Sequence, residues 1–299
     1  MAASGILPPA TLAHPCASVA PGILPPATLA HPCASALRVS LVQGDTVWLD
    51  PEANRAMYAE MMAPLKGITD LVVLPETFTS GFSNEALARA EGMDGPTVAW
   101  MLGQAALLDA VVTGSVQIRD GDGVYNRLLW ATPDGGLKHY DKRHLFRMAK
   151  EHERYASGRD RMTVELKGWR VCPLVCYDLR FPVFVRNRFG VEAADRFDYD
   201  LLVFVANWPS ARAYAWSTLL RARAIENLCC VAAVNRVGVD GNQISYSGES
   251  VALDELGAPI IECGAQAQVV TMAFSAAALA AHRARFPAQL DADQFEIRG

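Results

Sequence analysis

Three ionisable residues of different types each stand where a strand-like segment ends. Glu76 comes after DLVVLP, Lys142 after LKHYD and Cys176 after VCPLV. A thiol can attack a carbonyl carbon while a carboxylate takes the thiol proton and an ammonium stabilises the oxyanion. Ligand sites of α/β sheets gather beyond the carboxyl ends of strands. We therefore expect these side chains to converge for acyl transfer, with the backbone N–H of Tyr177 as a second oxyanion donor.

Each of these residues also has a structural explanation when taken alone. A free cysteine packs well as a small hydrophobe, so Cys176 could belong to the core. Glu76 could cap a turn, and Lys142 could be a solvated surface charge. The position of Cys176, between an apolar run and a polar turn, is that of a residue in a nucleophile elbow. The three types together favour the chemical interpretation.

The segments between these residues predict alternating strands and helices. Apolar periodicity predicts strands at LRVSLVQ and DLVVLPE, and a helix begins near GPTV, where Pro96 suits the first turn. DGDG joins two predicted strands of a hairpin. A helix around 181–189, the strand DLLVFVANW, the helix ARAYAWSTLLRARAIEN and the strand LCCVAAVNRVG follow. This pattern indicates an α/β fold with two mixed sheets packed face to face under helical outer layers.

The amino terminus differs from the rest of the chain. The segment GILPPATLAHPCAS occurs at 5–18 and again at 22–35, and its prolines and lack of charge give neither a helix nor a core. It has no basic region before an apolar run, as a secretory signal would. We interpret 1–36 as a disordered extension, either a duplicated upstream segment or an expression remnant, and 37–299 as one continuous domain.

Composition narrows the possible partners. Of 299 residues, 51% are apolar and 20% charged, the net charge is −5, and no block of Lys or Arg stands out, so we expect no nucleic-acid partner. No apolar run reaches the ~18 residues that span a bilayer, so we expect no membrane segment. Seven cysteines without a disulfide pattern or zinc spacing predict a reducing cytoplasm and no bound metal.

Three motifs together resemble a known family. LPETFTSGF, YDKRHLF and PLVCYDLRFP, in this order, are similar to the Glu, Lys and Cys motifs of the nitrilase (carbon–nitrogen hydrolase) superfamily, and FVANWP and RARAIEN match later segments. The resemblance covers nearly all of 37–299 and implies a four-layer α-β-β-α sandwich. It implies Glu76 as general base, Lys142 as stabiliser of the tetrahedral intermediate, and Cys176 as the nucleophile that forms a thioester, without a cofactor.

The resemblance implies two further features. Many members carry a second glutamate after the lysine; KEHERYASG offers Glu151 and Glu153, and the spacing to Gly158 favours Glu151. Members usually form dimers, and the tail FPAQLDADQFEI resembles an arm that crosses to a partner subunit. We therefore expect a homodimer or a higher homo-oligomer.

The residue sequences of the motifs are most similar to those of the bacterial ω-amidase group, which hydrolyses the distal amide of 2-oxoglutaramate and 2-oxosuccinamate. Nitrilases proper have Cys-Trp-Glu where this chain has Cys-Tyr-Asp, so nitriles are a weaker alternative beside N-carbamoyl amines and β-ureidopropionate. A substrate carboxylate needs a cation. Arg180 is the candidate, with Arg147 as an alternative, and Tyr177, Trp208 and Phe82 could line the pocket.

Two hypotheses from other classes stay open. His144 of KRHLF could act as the base of a Cys–His hydrolase or transferase, although a structural hydrogen-bonding role beside Lys142 is favoured. The chain could also be a binding module on an enzyme fold, because fold does not determine function. Arg180 could pair with Asp178 or Glu226 instead of binding substrate.

Deleting residues 1–36 should leave stability and activity unchanged, because a Pro-broken, uncharged segment cannot bury enough surface to matter. The melting temperature and amide turnover of the shortened and full chains measure this directly. A clear loss of melting temperature would mean that the extension docks on the folded domain.

Overall fold

Two six-stranded mixed sheets form the centre of the protein in a computed structural model that describes residues 36–191 and 196–297. In the first sheet the strands follow the order β14-β1-β2-β3-β4-β5. Their bounds are β1 (Leu37–Gln43), β2 (Leu71–Val73), β3 (Val111–Asp120), β4 (Gly123–Ala131), β5 (Leu137–Asp141) and β14 (Gln268–Phe274).

The second sheet has the order β13-β12-β9-β8-β7-β6, and a separate two-stranded ribbon joins β10 to β11. The bounds are β6 (Val164–Leu166), β7 (Trp169–Val175), β8 (Leu201–Ala206), β9 (Cys230–Asn235), β10 (Val237–Val239), β11 (Ser245–Ser247), β12 (Val251–Leu253) and β13 (Pro259–Glu262).

Helices cover the outer faces of both sheets. They are α1 (Pro51–Met62), α2 (Pro96–Leu108), α3 (Pro182–Val185), α4 (Ala213–Asn227) and α5 (Ala276–Arg285). Three of them begin with proline, whose fixed φ suits the first helical position and whose missing N–H is not needed there. Asp50 caps α1 by accepting a hydrogen bond from the N–H of Ala53 at 3.0 Å.

The largest core lies between the two sheets. Leu41 of β1 and Val73 of β2 are fully buried in one cluster with Leu174 of β7 and Val203 of β8. A second cluster packs α1 and α2 against the first sheet, and Trp216 of α4 joins the core from the opposite side. This arrangement confirms the predicted α-β-β-α sandwich.

The strand directions bring the ends of several strands to one edge. In the first sheet β2 is parallel to β3, and two antiparallel steps through β4 make β5 run the same way. In the second sheet β7, β8 and β9 are mutually parallel. Every residue of β8 is buried, which is typical of a parallel strand covered on both faces.

Most of the predicted elements are confirmed, including the β3–β4 hairpin at DGDG. The helix predicted around 181–189 is limited to α3, because the buried Asn187 holds the chain out of helical conformation. Its side-chain amide donates to the carbonyls of Tyr199 at 2.9 Å and Asn227 at 3.0 Å. The extension predicted at 1–36 lies, but for its last residue, outside the described residues. Within the described ranges, no helix is long and apolar enough to cross a membrane.

Candidate active site

Cys176 follows β7 directly and occupies a strained backbone conformation. Its φ is +43°, in the left-handed region that non-glycine residues rarely adopt, as expected of a nucleophile elbow. The buried carboxylate of Asp178 holds this turn: it accepts the N–H of Val175 at 3.1 Å and the hydroxyl of Tyr140 at 2.8 Å. The strand and the turn thus fix the position of the thiol from both sides.

Glu76 lies three residues beyond β2 and is almost fully buried. Its Oε1 accepts hydrogen bonds from Lys142 Nζ at 2.9 Å and from Asn126 Nδ2 at 2.8 Å, and its Oε2 accepts the backbone N–H of Asn207 at 2.8 Å. Asn207 Nδ2 donates to the carbonyl of Glu76 at 2.6 Å. Residues that follow β5 and β8, together with one from β4, therefore hold this carboxylate.

Lys142 and Glu151 complete the buried cluster. Lys142 Nζ donates to both oxygens of Glu151, at 3.0 and 2.9 Å, so one ammonium serves two carboxyl groups. The backbone N–H of Phe146 also donates to Glu151 Oε2, at 2.5 Å. The sequence-based choice of Glu151 over Glu153 agrees with this placement, since Glu153 lies at the surface.

The electrostatics of the cluster keep Lys142 charged. Burial alone would lower the pKa of Lys142, but Glu151 and Glu76 raise it well above the ordinary lysine value. Burial raises the pKa of Glu151, and the nearby Glu76 adds to this effect while Lys142 opposes it. The ammonium is therefore available as a fixed positive charge at the centre of the site.

The electrostatics of the site favour the neutral form of Cys176. Burial raises the pKa of its thiol well above the ordinary cysteine value, and the charge of the Glu76 carboxylate raises it further; Lys142 only partly offsets this. The resting group is thus a neutral thiol, and its Sγ lies 4.0 Å from the carbonyl oxygen of Asn207.

The other cysteines within the described ranges are less accessible than Cys176. Cys172, Cys229, Cys230 and Cys263 are buried, whereas Cys176 is half-buried. Burial raises the pKa of Cys172 to about 12 and that of Cys263 to about 11. Cys172, Cys229 and Cys230 belong to the core between the sheets and α4.

Aromatic side chains surround the cluster on its outer side. The ring of Phe82 lies 5.4 Å from Lys142 Nζ, and the ring of Tyr177 is 5.0 Å from that of Phe146. Trp208 follows the residue that binds Glu76, and the guanidinium of Arg180 lies 4.9 Å from its ring centre. The structure thus brings Phe82 and Tyr177 beside the cluster and pairs Trp208 with Arg180 at its edge.

Several contributors were missed by the sequence reasoning. Asn126 of β4 is fully buried, and its Nδ2 also lies 3.3 Å from Glu151 Oε1, so one amide contacts both carboxyl groups. Its carbonyl accepts the N–H of Lys142 at 3.0 Å. Asn207, which directly follows β8, could have been found by the same strand-end reasoning that selected the three ionisable residues. Asn126 could not, because it lies inside a strand.

His144 does not contact the thiol. Its Nδ1 lies 2.7 Å from Asp178 Oδ1, and its ring stacks on Phe181 at 3.7 Å. Arg223 pairs with Glu226 at 2.8 Å, so Glu226 is not the partner of Arg180. Across 36–191 and 196–297, no group of three or more His, Cys, Asp or Glu side chains could hold a metal ion.

The geometry is suited to nucleophilic substitution at a carbonyl. A neutral thiol has a carboxylate to receive its proton, and a permanent ammonium lies in the same buried space. Charges act strongly there because little water screens them.

Comparison with known proteins assigns the family. Residues 38–284 match the model of the carbon–nitrogen hydrolase family. The chain is 46% identical over 264 residues to omega-amidase YafV of Escherichia coli K12, covering 87% of this chain and 98% of that protein. It is 32% identical over 235 residues to a 2-oxoglutaramate amidase of Bacillus subtilis, covering 78% of this chain and 88% of that one.

Among solved structures, XC1258 of Xanthomonas campestris is described as a CN-hydrolase superfamily protein with an arsenic adduct in the active site. It superposes with a TM-score of 0.88 at 67% identity, covering 88% of this chain and 100% of that one. The family match spans both sheets and every residue of the buried cluster. This chain belongs to the carbon–nitrogen hydrolase family.

Proposed function

We propose that this protein is an ω-amidase that hydrolyses the distal amide of 2-oxoglutaramate or 2-oxosuccinamate through a thioester on Cys176. The observation that carries the proposal is the buried cluster of Glu76, Lys142 and Glu151 around the thiol. The names of the relatives from Escherichia coli and Bacillus subtilis support the substrate class. The Cys-Tyr-Asp sequence supports amides over nitriles.

Acylation begins with the neutral thiol. Glu76 takes the proton of Cys176 as the sulfur bonds to the amide carbon, and the carbonyl π electrons move onto oxygen. The ammonium of Lys142 and the backbone N–H of Tyr177 stabilise the resulting oxyanion. The C–N bond then breaks, the nitrogen takes the proton from Glu76, and ammonia leaves a thioester behind.

Deacylation reverses the same proton path. Glu76 takes a proton from water as the water oxygen bonds to the thioester carbon, and Lys142 again faces the oxyanion. The C–S bond breaks, the sulfur recovers the proton from Glu76, and the carboxylic acid product leaves. Glu151 contributes by holding the ammonium through two hydrogen bonds, at 3.0 and 2.9 Å.

The surrounding side chains suit a short substrate with an apolar middle. Phe82 and Tyr177 flank the cluster, and Trp208 follows Asn207 in the loop that binds Glu76. The far carboxylate of the substrate then reaches the outer edge of the site, where Arg180 is one of the available cations. Because such a carboxylate is costly to bury unpaired, it selects the substrate only if a cation receives it.

Glu76→Gln should lower amide turnover by roughly 10² to 10⁴ with the fold intact, because the amide keeps the shape but cannot take a proton. Lys142→Met should be comparably damaging, since it removes the charge beside the oxyanion. Turnover is measured as ammonia release, with circular dichroism as the check on folding. Activity of Glu76→Gln within a few-fold of the unaltered protein would assign the base elsewhere, with His144 as the first candidate.

The pH dependence of the Glu76→Gln variant provides a second test of the base. The raised pKa of Cys176 keeps the thiol protonated at neutral pH, and Glu76 removes the proton only during attack. Without that base, the residual rate should rise about tenfold per pH unit up to the thiol pKa, because only free thiolate then reacts. The unaltered enzyme should lack this rise between about pH 7 and about pH 9. A rise of the same slope in both proteins would contradict the role of Glu76.

The substrate assignment predicts a large preference for acid amides. The kcat/KM for 2-oxoglutaramate or 2-oxosuccinamate should exceed that for matching amides without the carboxylate by at least ~10²-fold, about 2.7 kcal/mol of transition-state binding. A panel assay of ammonia release measures this ratio. Equal rates for neutral amides, or faster turnover of N-carbamoyl compounds, would move the protein to another branch of the family.

We also propose that the protein works as a cytoplasmic homodimer that uses the outer face of α4. Tyr214 of this helix is 85% exposed and Ile225 is 55% exposed, an unusual amount of apolar surface for a free helix. Light scattering should give twice the chain mass of 32.3 kDa. Tyr214→Glu should shift it toward the monomer, whereas Ile68→Glu, at an exposed apolar position before β2, should not. A monomeric mass for the unaltered protein would refute the dimer.

A further inference from the structure

Two arginines at the edge of the site differ from the other half-buried arginines. The guanidinium of Arg180 lies over Trp208, and that of Arg212 lies 5.2 Å from the ring centre of Phe146. Neither guanidinium makes an ion pair or a hydrogen bond to any other residue that the structure describes. By contrast, the guanidinium of Arg188, which is also half-buried, binds Asp198 at 2.8 Å. Charged donors beside a catalytic cluster are thus left without an acidic partner.

Arg212 is held at this position by the loop that also orients the base. It ends a short 3₁₀ helix, Ser210–Arg212, which follows β8, and its carbonyl accepts the indole N–H of Trp208 at 2.8 Å. Asn207 at the start of the same loop donates its N–H to Glu76. The six residues from Asn207 to Arg212 therefore fix the distance between the backbone of Arg212 and the carboxylate of Glu76.

The aromatic ring beneath Arg212 belongs to the opposite wall of the site. Phe146 donates its backbone N–H to Glu151, and its ring contacts that of Tyr177, the residue next to the nucleophile. The side chain of Arg212 thus reaches from the loop after β8 to the loop after β5. Stacking on a ring leaves the in-plane N–H groups of a guanidinium free to bind a carboxylate in a bidentate manner.

Arg180 is less well placed for this task. The indole on which it stacks is buried and packs against Trp216 of α4, with ring centres 5.4 Å apart. The ring partner of Arg180 thus packs against the helix layer, whereas the ring partner of Arg212 contacts Tyr177. We infer that Arg180 holds the turn after the nucleophile against this layer.

The charge of the inner site explains why a cation is required at its edge. The cluster contains two carboxyl groups and one ammonium, so it has no surplus positive charge to attract an anionic substrate. A substrate with a carboxylate at one end and an amide at the other needs the cation at its far end.

We propose that Arg212 binds the substrate carboxylate and so selects amides of short dicarboxylic acids. This proposal rests on the proposed ω-amidase function and names the residue behind its selectivity. The substrate extends from Cys176, where its amide reacts, past the rings of Tyr177 and Phe146 to the guanidinium. Because the loop fixes Arg212 relative to Glu76, the site also selects substrates by the chain length between their amide and their carboxylate.

The test compares 2-oxoglutaramate with 4-oxopentanamide, which has a methyl group in place of the carboxylate. Arg212→Ala should lower the ratio of the two kcat/KM values by about 10²-fold, mainly through a higher KM for the acid amide. Arg212→Lys should recover part of the ratio, because it keeps the charge but loses the bidentate fork. Arg285→Ala, at an exposed position on α5, removes the same charge elsewhere and should leave the ratio unchanged.

The outcomes separate this inference from the proposed function. If the unaltered enzyme prefers the acid amide and Arg212→Ala keeps that preference, the carboxylate binds elsewhere and the assignment to Arg212 is wrong. A larger loss of preference in Arg180→Ala than in Arg212→Ala would likewise overturn it in favour of Arg180. If the unaltered enzyme itself shows no preference, the ω-amidase function fails, and the role of Arg212 fails with it.

Discussion

The structure depends on one buried ammonium that is shared by two carboxyl groups. Lys142 has no other charged partner within the described chain, and Glu76 and Glu151 are both almost completely removed from water. Taking such charges out of water is expensive, and breaking a buried ion pair by removing one partner typically costs about 3–5 kcal/mol. The cluster persists because neutral donors offset the excess negative charge: the amide of Asn126 and the backbone N–H of Asn207 each bind Glu76.

The sandwich supplies these donors at little conformational cost. Glu76, Lys142, Cys176 and Asn207 lie just beyond the carboxyl ends of β2, β5, β7 and β8, and Asn126 lies within β4, so the strands themselves fix their backbones. Two of the non-glycine residues with a positive φ, Thr77 at φ +41° and Cys176 at φ +43°, lie directly beside or at a reacting group. Hydrogen bonds hold both: Thr77 donates its N–H to Ser115 Oγ at 2.9 Å, and Asp178 binds the turn after β7. Such strain is stable only where its surroundings over-determine it.

The limits of sequence-based prediction follow from the same geometry. Glu76, Lys142 and Cys176 could be found because each ends a strand-like segment, and a strand end is a local property of the chain. Asn126 could not be found, because its contact with both glutamates depends on the register of β4 against β5 and on the loop that carries Glu151. The short α3 was overestimated because a distant buried asparagine, not local propensity, ends it.

The protonation state of Cys176 follows from the same distribution of charge. A nearby lysine suggests a stabilised thiolate, but Lys142 is already held by two carboxyl groups, and burial with Glu76 outweighs its effect on the thiol. This distribution of charge has a chemical advantage. A thiolate is the form that oxidants and alkylating agents attack, so a neutral thiol protects the resting site. The nucleophile becomes reactive only as an amide carbon arrives to accept its electrons, because Glu76 then receives the proton and Lys142 faces the new negative charge. The ammonium therefore stabilises first the resting cluster and then the transition state. The donors that orient Glu76 and Glu151 also determine where this positive charge lies relative to the oxyanion.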